Sequence, residues 1–464
     1  MRARLLRPAL SSACFALAVG GLAPLVGGAS AGAATTRAAT PQASGTLVTT
    51  TTAGPGRALS PATRFFIRPP DKGAIQQDIQ LLRSGDRKDA ALLTRMEATP
   101  QAVWLTGGTP AQVTQQVRTT LLEAAFEHAV PVFVAYDIPG RDCNQYSAGG
   151  ALNQADYQAW IAAVAAALGK TQAVVWLEPD SLGLLPSSCG ATNYPFTDTE
   201  RYAELNYAVT ALEQQPNVSV YLDGTHSAWL GVGQIAHELV TAGVQQAQGF
   251  FLDASNYQPD PQLLDYGTWI SDCIAFASNP ADGGWRLGHY DYCASQYYPA
   301  TPGDFSTWDL STQWYAANMG TAVATTHFMV DTSRNGQGPN NMSGFAAAPY
   351  NQPASVVSKL ASGNWCNPPG AGLGLAPTAS TGVPLLDAYL WVKTPGESDG
   401  QCDAAGGVRA WDYTAYTQPG WPTTAADQAL FDPLWGLVDP AAGGWFPQQA
   451  LQLAQDANPA LSEH

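Results

Sequence analysis

The stretch AVVWLEPDSLG, residues 173–183, decides how the chain is read. Ala173 to Leu177 are apolar without interruption, lacking the alternation of a strand with one wet face. Such a run suits a strand covered on both faces, as in a parallel sheet flanked by helices. Polarity then changes abruptly at Glu178-Pro179-Asp180. In parallel barrels, the carboxyl ends of the strands are where chemistry is carried.

Six further runs of the same kind lie to either side. They are AVWL (102–105), PVFVAY (131–136), VSVYL (218–222), GFFL (249–252), HFMV (327–330) and DAYLWV (387–392). Helical stripes separate the earlier ones. Val113, Val117, Leu121 and Phe126 form one stripe. Tyr157, Ile161, Val164 and Leu168 form a second, with Gly169 as its stop. Tyr202, Leu205, Val209 and Leu212 form a third, with Thr197 and Glu200 ahead of them at capping-box spacing. Seven strand–helix units predict an α/β fold with a parallel sheet, closed or nearly closed into a barrel. Two connections, 253–326 and 393–444, are too long for simple crossovers. Long loops in compact domains are commonly functional covers, although 253–326 reads equally well as surface decoration.

Each strand run is followed by polar residues. DIPGRDC ends in Asp142 and Cys143, and EPDSLG carries Glu178 and Asp180. DGTHSAWL carries Asp223, His226 and Trp229, and DASNY carries Asn256. DTSRNGQGP brings Asp331 and Arg334, and KTPGESDGQC brings Lys393, Glu397 and Asp399. Asp-Gly alone reads as a turn, and Asp180 alone reads as a helix cap. Six such motifs at six strand ends are harder to explain as turns. Converging carboxylates are what glycoside hydrolysis needs: an acid to protonate the leaving oxygen and a second carboxylate for water or the sugar. Their mutual repulsion keeps one protonated near neutral pH.

Composition narrows the partners. The 464 residues carry a net charge of −16 with only 12% charged residues, and 14 Trp. An acidic chain is a poor match for nucleic acid, whereas aromatic rings suit the apolar faces of sugars. Residues 1–33 read as an export signal: Arg2, Arg4 and Arg7, an apolar stretch, then small residues at Ala31-Gly32-Ala33. Residues 34–62 are a Thr/Ala/Pro-rich lead-in, expected to be disordered, and 63–464 form the catalytic domain. A secreted monomer with no membrane contact after cleavage is expected. Outside the signal lie Cys143, Cys189, Cys273, Cys293, Cys366 and Cys402, an even number consistent with three disulfides of undetermined connectivity.

YDIPGRDC, VVWLEPDSLG, YLDGTHSAWL, SNY, DTSRNGQGP, WCNP and WVKTPGESDG, in that order, resemble the motif series of glycoside hydrolase family 6 over roughly 65–460. The resemblance implies a distorted, incompletely closed barrel of about seven strands and an inverting β-1,4-glucanase acting on cellulose or related β-glucan. Endoglucanase is the preferred form and a loop-covered cellobiohydrolase the alternative. By position, Asp180 matches the general acid and Asp142 the carboxylate that raises its pKa and serves the water. Asp223 matches a carboxylate that steadies the oxocarbenium, and Asp399 the debated base. Tyr136 matches the tyrosine beneath the distorted sugar, and Ser147 the serine that holds water. Trp104, Trp229 and Trp365 match stacking platforms; His226, Asn256, Lys393 and Glu397 match hydroxyl-binding positions. The resemblance also implies Cys143–Cys189 and Cys366–Cys402, leaving Cys273 and Cys293 as a third pair. Asp253 departs from it, standing where a neutral residue is common.

Other readings are weaker. GASAG (28–32) fits the serine-hydrolase elbow but has no strand before it, and GVGQIA (231–236) fits a dinucleotide fingerprint without its strand. His128, His226, His237, His289 and His327 are scattered, so neither a catalytic metal nor a cofactor is expected. A retaining barrel glycosidase and a non-catalytic glucan-binding protein remain as competing functions.

Overall fold

The computed structural model describes residues 58–461 apart from 191–193, 282–283 and 403–409. The expected signal, the lead-in up to residue 57 and GASAG lie outside the described residues. All seven apolar runs form strands: β1 (Val103–Leu105), β2 (Val132–Ala135), β3 (Ala173–Leu177), β4 (Val218–Asp223), β5 (Gly249–Leu252), β6 (His327–Asp331) and β7 (Leu386–Leu390). They pair in chain order, every pair parallel. Both faces are buried because successive side chains serve different cores. Val134, Trp176, Tyr221, Phe251, Met329 and Ala388 fill the inside of the curl. Phe133, Val175, Val220, Phe250 and Phe328 meet the outer helices. Trp176 stacks on Phe251 at 4.3 Å between ring centroids.

Helices α1 (Lys72–Ser84) and α2 (Arg87–Glu97) precede the sheet. The crossovers carry α3 (Pro110–Phe126), α4 (Gln154–Leu168), α5 (Asp198–Glu213), α6 (Val232–Thr241), α7 (Asp260–Ser278), α8 (Asp309–Asn318) and α9 (Ala354–Ser362). α10 (Ala425–Gln428) and α11 (Pro447–Gln455) follow β7. The caps are local and legible. Thr197 and Glu200 form the expected capping box at α5, and Gly169 ends α4 with φ 53°. One stripe member is corrected: Phe126 is 89% exposed. It lies five residues past Leu121, about 140° around the helix, and Ala124 takes the buried place.

The barrel is incompletely closed, as expected. Among the described residues no ladder joins β1 to β7. Two hydrogen bonds cross this seam: Ala102 N–H to Trp391 O (3.0 Å) and the Trp104 indole to Val392 O (2.8 Å). Leu93 and Met96 of α2, Trp391, and Leu453 of α11 pack together as a separate cluster there. Gln77 of α1 bonds Trp445 and Pro447 at 2.8 and 2.9 Å.

The two long connections have different fates. Residues 253–326 carry α7 and α8 with a strap between them, tied by Cys273–Cys293. Among the described residues of this connection, only Ala254 to Gln258 line the cleft. In 393–444, Trp411, Tyr416 and Trp421 build a satellite core with Met342, Tyr350 and Leu360, while Ala441 to Gly443 line the cleft.

Candidate active site

The carboxyl ends of the strands open into a cleft of about 840 Å³. Its floor begins at β3. Glu178 and Asp180 both have left-handed backbones, φ 52° and 65°, a sharp turn out of the strand. Glu178 is turned inward and fully buried, accepting the amides of Asp137 and Ile138 at 2.9 Å each. Burial pushes its carboxyl up to about 8. Asp180 is turned the other way and lines the cleft. Its neighbours 181–184 form turns, not a helix, so capping does not account for it.

Burial holds the Asp180 carboxyl well above the usual range, and the charges of Asp223, Asp142 and Asp399 add to this in that order. Asp142 is set by another left-handed turn, φ 55°, and its Oδ2 accepts Ser147 N–H at 2.6 Å. Burial raises it to about 6, against the pull of the Ser147 amide and Arg141. Asp223, last residue of β4, is only 3% exposed and does not line the cleft. Its Oδ1 accepts Thr225 N–H at 2.8 Å. Its Oδ2 makes no hydrogen bond of good geometry, yet the amides of Leu182, Gly183 and Asp180 face the carboxylate closely enough to offset part of its burial. The balance leaves Asp223 at about 6.

Asp399 is the opposite case. Burial alone would raise it, but Arg334 Nη1 at 2.6 Å and Lys393 Nζ at 3.0 Å hold it below the usual carboxylate range. Asn367 N–H adds a bond at 2.8 Å. This carboxylate is ionised and most of its lone pairs are occupied.

The sugar-facing surface surrounds these acids. Tyr136 lies edge-on to Trp104, centroids 5.4 Å apart, with the Arg141 guanidinium 4.5 Å over its ring. Arg141 also bonds the carbonyls of Tyr136, Thr106 and Ser147. Trp229, Trp365, His226, Asn256, Lys393, Glu397 and Ser147 all line the cleft. Burial lowers His226 to about 4, so it is neutral at pH 7. Of the thirteen catalytic and sugar-binding candidates, only Asp223 is absent from the wall, lying under it.

Disulfides Cys143–Cys189 and Cys366–Cys402 fix the loops bearing Asp142 and Trp365. Among the described residues, Cys402, Asp432 and Asp439 have metal-like proximity, but the sulfur is committed to a disulfide. Gly233, from the dinucleotide-like GVGQIA, is pressed against the Tyr290 carbonyl and serves packing.

Residues 60–457 match glycosyl hydrolases family 6. The chain belongs to this family. Endoglucanase A of Cellulomonas fimi is 30% identical over 352 residues, covering 76% of this chain and 59% of that one. A probable 1,4-beta-D-glucan cellobiohydrolase C of Aspergillus niger is 28% identical over 346 residues, covering 71% and 61%. The chain thus spans about three-fifths of the length of these relatives. The solved endoglucanase Cel6 of Mycobacterium tuberculosis, in complex with methyl-cellobiosyl-4-deoxy-4-thio-beta-D-cellobioside, has 29% identity and a TM-score of 0.56, covering 85% of this chain and 97% of that one.

In this family 6 chain, several residues outside the expected site members support it. Arg201 of α5 is buried and donates to Ser181 O (2.8 Å), Leu184 O (3.4 Å) and Pro139 O (3.1 Å), joining the loops after β2 and β3. Its signal was a charge at the helical position four before Leu205, on the apolar stripe. Asn367 bonds Asp399, Ser398 and Gly400; its place after Cys366 was visible, its role was not. Asp253, the departure, accepts Gln258 N–H at 3.0 Å and braces the turn that presents Asn256.

Proposed function

We propose that this chain is a secreted, monomeric, inverting β-1,4-glucanase that cuts within cellulose or a related β-glucan. One observation carries the reading. Asp180 lies on the wall of a cleft lined with aromatic rings, its carboxyl held well above the usual range by burial and by three neighbouring acids. A protonated carboxyl at neutral pH is the general acid that glycoside hydrolysis requires.

The remaining roles follow from charge. A base must take a proton, and Arg334 and Lys393 hold Asp399 below the usual carboxylate range, which makes it a weak proton acceptor. Asp142, at about 6 and bonded to the Ser147 amide, is the better partner for water. Asp223 acts through Asp180, lying beneath its turn. Tyr136 and Trp104 support the sugar ring, Trp229 and Trp365 stack on its neighbours, and His226, Asn256, Lys393 and Glu397 take hydroxyls.

Endo action is the form proposed here. Residues 441–443 line the cleft, with Gly443 and Gly444 held beside Ser398 through Ser398 N–H to Gly444 O (2.8 Å) and Gly443 N–H to Ser398 O (2.9 Å). Soluble carboxymethylcellulose should lose viscosity faster than reducing ends appear. Cellobiose released from insoluble cellulose without viscosity loss would instead mean exo action. NMR of the first product should show the α anomer; an initial β anomer would make the enzyme retaining. Asp180→Ala should lower turnover by about 10²–10⁴-fold, and unchanged activity would refute the acid assignment.

A further inference from the structure

The turn that carries Asp142 is strained and must be held in place. Asp142 and Cys143 both have left-handed backbones, φ 55° and 47°. Residues other than glycine keep that conformation only where their surroundings enforce it. Cys143–Cys189 ties the turn to the segment after β3. Arg141 and Gly149 pair as an antiparallel bridge, and Arg141 Nε donates to Ser147 O at 2.9 Å. These last two contacts tie the loop only to itself.

Tyr146 reaches the other way, toward the loop after β7. Its ring stands 6.0 Å from that of Trp365, tilted by 52°, and both line the cleft. Its stem rests on Gly400: a Cβ added there would lie 2.5 Å from Tyr146 Cβ and 3.0 Å from its Cγ. Gly400 has φ 143°, and its missing side chain lets Tyr146 approach the backbone beside Asp399 this closely. The platform under the ring is fixed. Gly400 N–H donates to Ser398 Oγ (3.1 Å), and Gly400 O accepts Asn367 Nδ2 (2.9 Å). Cys366–Cys402 joins the segments bearing Trp365 and Gly400.

We propose that Tyr146 is a positioning residue: packed on Gly400 and Trp365, it sets where Asp142 and Ser147 stand relative to Asp399. The inference rests on the glucanase reading, in which Asp142 serves the water. The two acids follow β2 and β7, which lie on either side of the open seam. Among the described residues no ladder joins β1 to β7, so strand pairing does not fix their spacing. A contact between the loops above the seam does that instead. The route from Tyr146 to the carboxylate is short. Ser147, the next residue, supplies the N–H that Asp142 Oδ2 accepts at 2.6 Å. Displacing Tyr146 therefore moves Asp142 through one peptide and one hydrogen bond.

The test is a double-mutant cycle on cellohexaose hydrolysis. kcat and KM are measured separately for the intact chain, Tyr146→Ala, Asp142→Asn and the double variant. Tyr146→Ala should lower kcat about 10–10²-fold, as a small misplacement of a reacting group does, with KM moving far less. In the Asp142→Asn background the same change should cost almost nothing further, because the carboxylate that it places is gone. Tyr146→Phe should restore kcat. Tyr146→Leu, which keeps part of the packing on Gly400 and is the milder change for folding, should fall between. An unchanged kcat overturns the proposal, whatever happens to KM, since Tyr146 would then be a sugar contact or idle. A full loss repeated in the Asp142→Asn background overturns it too, because the ring would then act independently of Asp142. So does a Tyr146→Phe variant as poor as Tyr146→Ala. An unmodified chain that leaves cellohexaose intact overturns the glucanase reading and this inference with it.

Discussion

Asp180 and Asp399 are both acids at strand ends, and their surroundings give them opposite character. Asp180 has acids for neighbours and stays protonated; Asp399 has Arg334 and Lys393 and stays ionised. The difference makes a prediction. Asp142→Asn removes a negative charge near Asp180, so the Asp180 carboxyl loses its proton at lower pH. The alkaline limb of kcat/KM should therefore move toward acid, together with a fall in turnover. A limb that stays in place would mean that Asp142 does not tune the acid. At this scale the sequence was informative because each acid sits in a strand-end motif. The burial of Asp223 under the turn was hidden. It depends on how β4 packs beneath residues 180–183, which no local pattern encodes.

Among the elements, Asp331 shows what a strand end can organise. Its Oδ1 accepts the amides of Ser333 (2.9 Å) and Val392 (3.0 Å), and its Oδ2 those of Ser255 (3.1 Å) and Lys393 (2.9 Å). One buried carboxylate thus joins the ends of β5, β6 and β7. Asp331→Asn replaces one oxygen with a donor that faces two amides, and should cost about 2–4 kcal/mol of stability as well as lower kcat through Lys393. Denaturant midpoints and turnover on the same variant check both. The Cys143–Cys189 bridge closes 46 residues of chain around the Asp142 turn. Cys143→Ser/Cys189→Ser should lose about 3 kcal/mol and lose kcat/KM beyond what lower stability explains, measured well below the melting temperature. Strands and helix caps were legible because they depend on neighbours in sequence. The path of 253–326 was not, since its strap is fixed by Gln296 and Tyr297 reaching a loop some 70 residues earlier.

The molecule as a whole carries carboxyls that prefer their protons. Glu178 is raised to about 8, Glu204 and Glu238 to about 7, and Asp142 and Asp223 to about 6, burial leading in each. Between their ordinary and raised values the folded chain binds more protons than the unfolded one, so stability falls as pH rises. Asp399 works the other way, its contribution being lost as pH falls through its depressed value. The melting temperature should be higher near pH 5 than near pH 8, and Glu178→Gln should flatten that difference. A steeper or unchanged slope in this variant would refute the assignment to Glu178.

The seam between β1 and β7 also bears on how the protein is made. Each strand pairs with the next along the chain, so six of the seven strand junctions could form during synthesis in simple succession. The last cannot. Its cover joins α1 and α2 to Trp391, Trp445 and α11, so α1 and α2 wait for α11. A nascent chain stopped short of residue 447 would hold an open curl with the apolar face of α2 bare. The finished fold, and with it Trp104 held across the gap by Val392, becomes available only once α11 has been released from the ribosome.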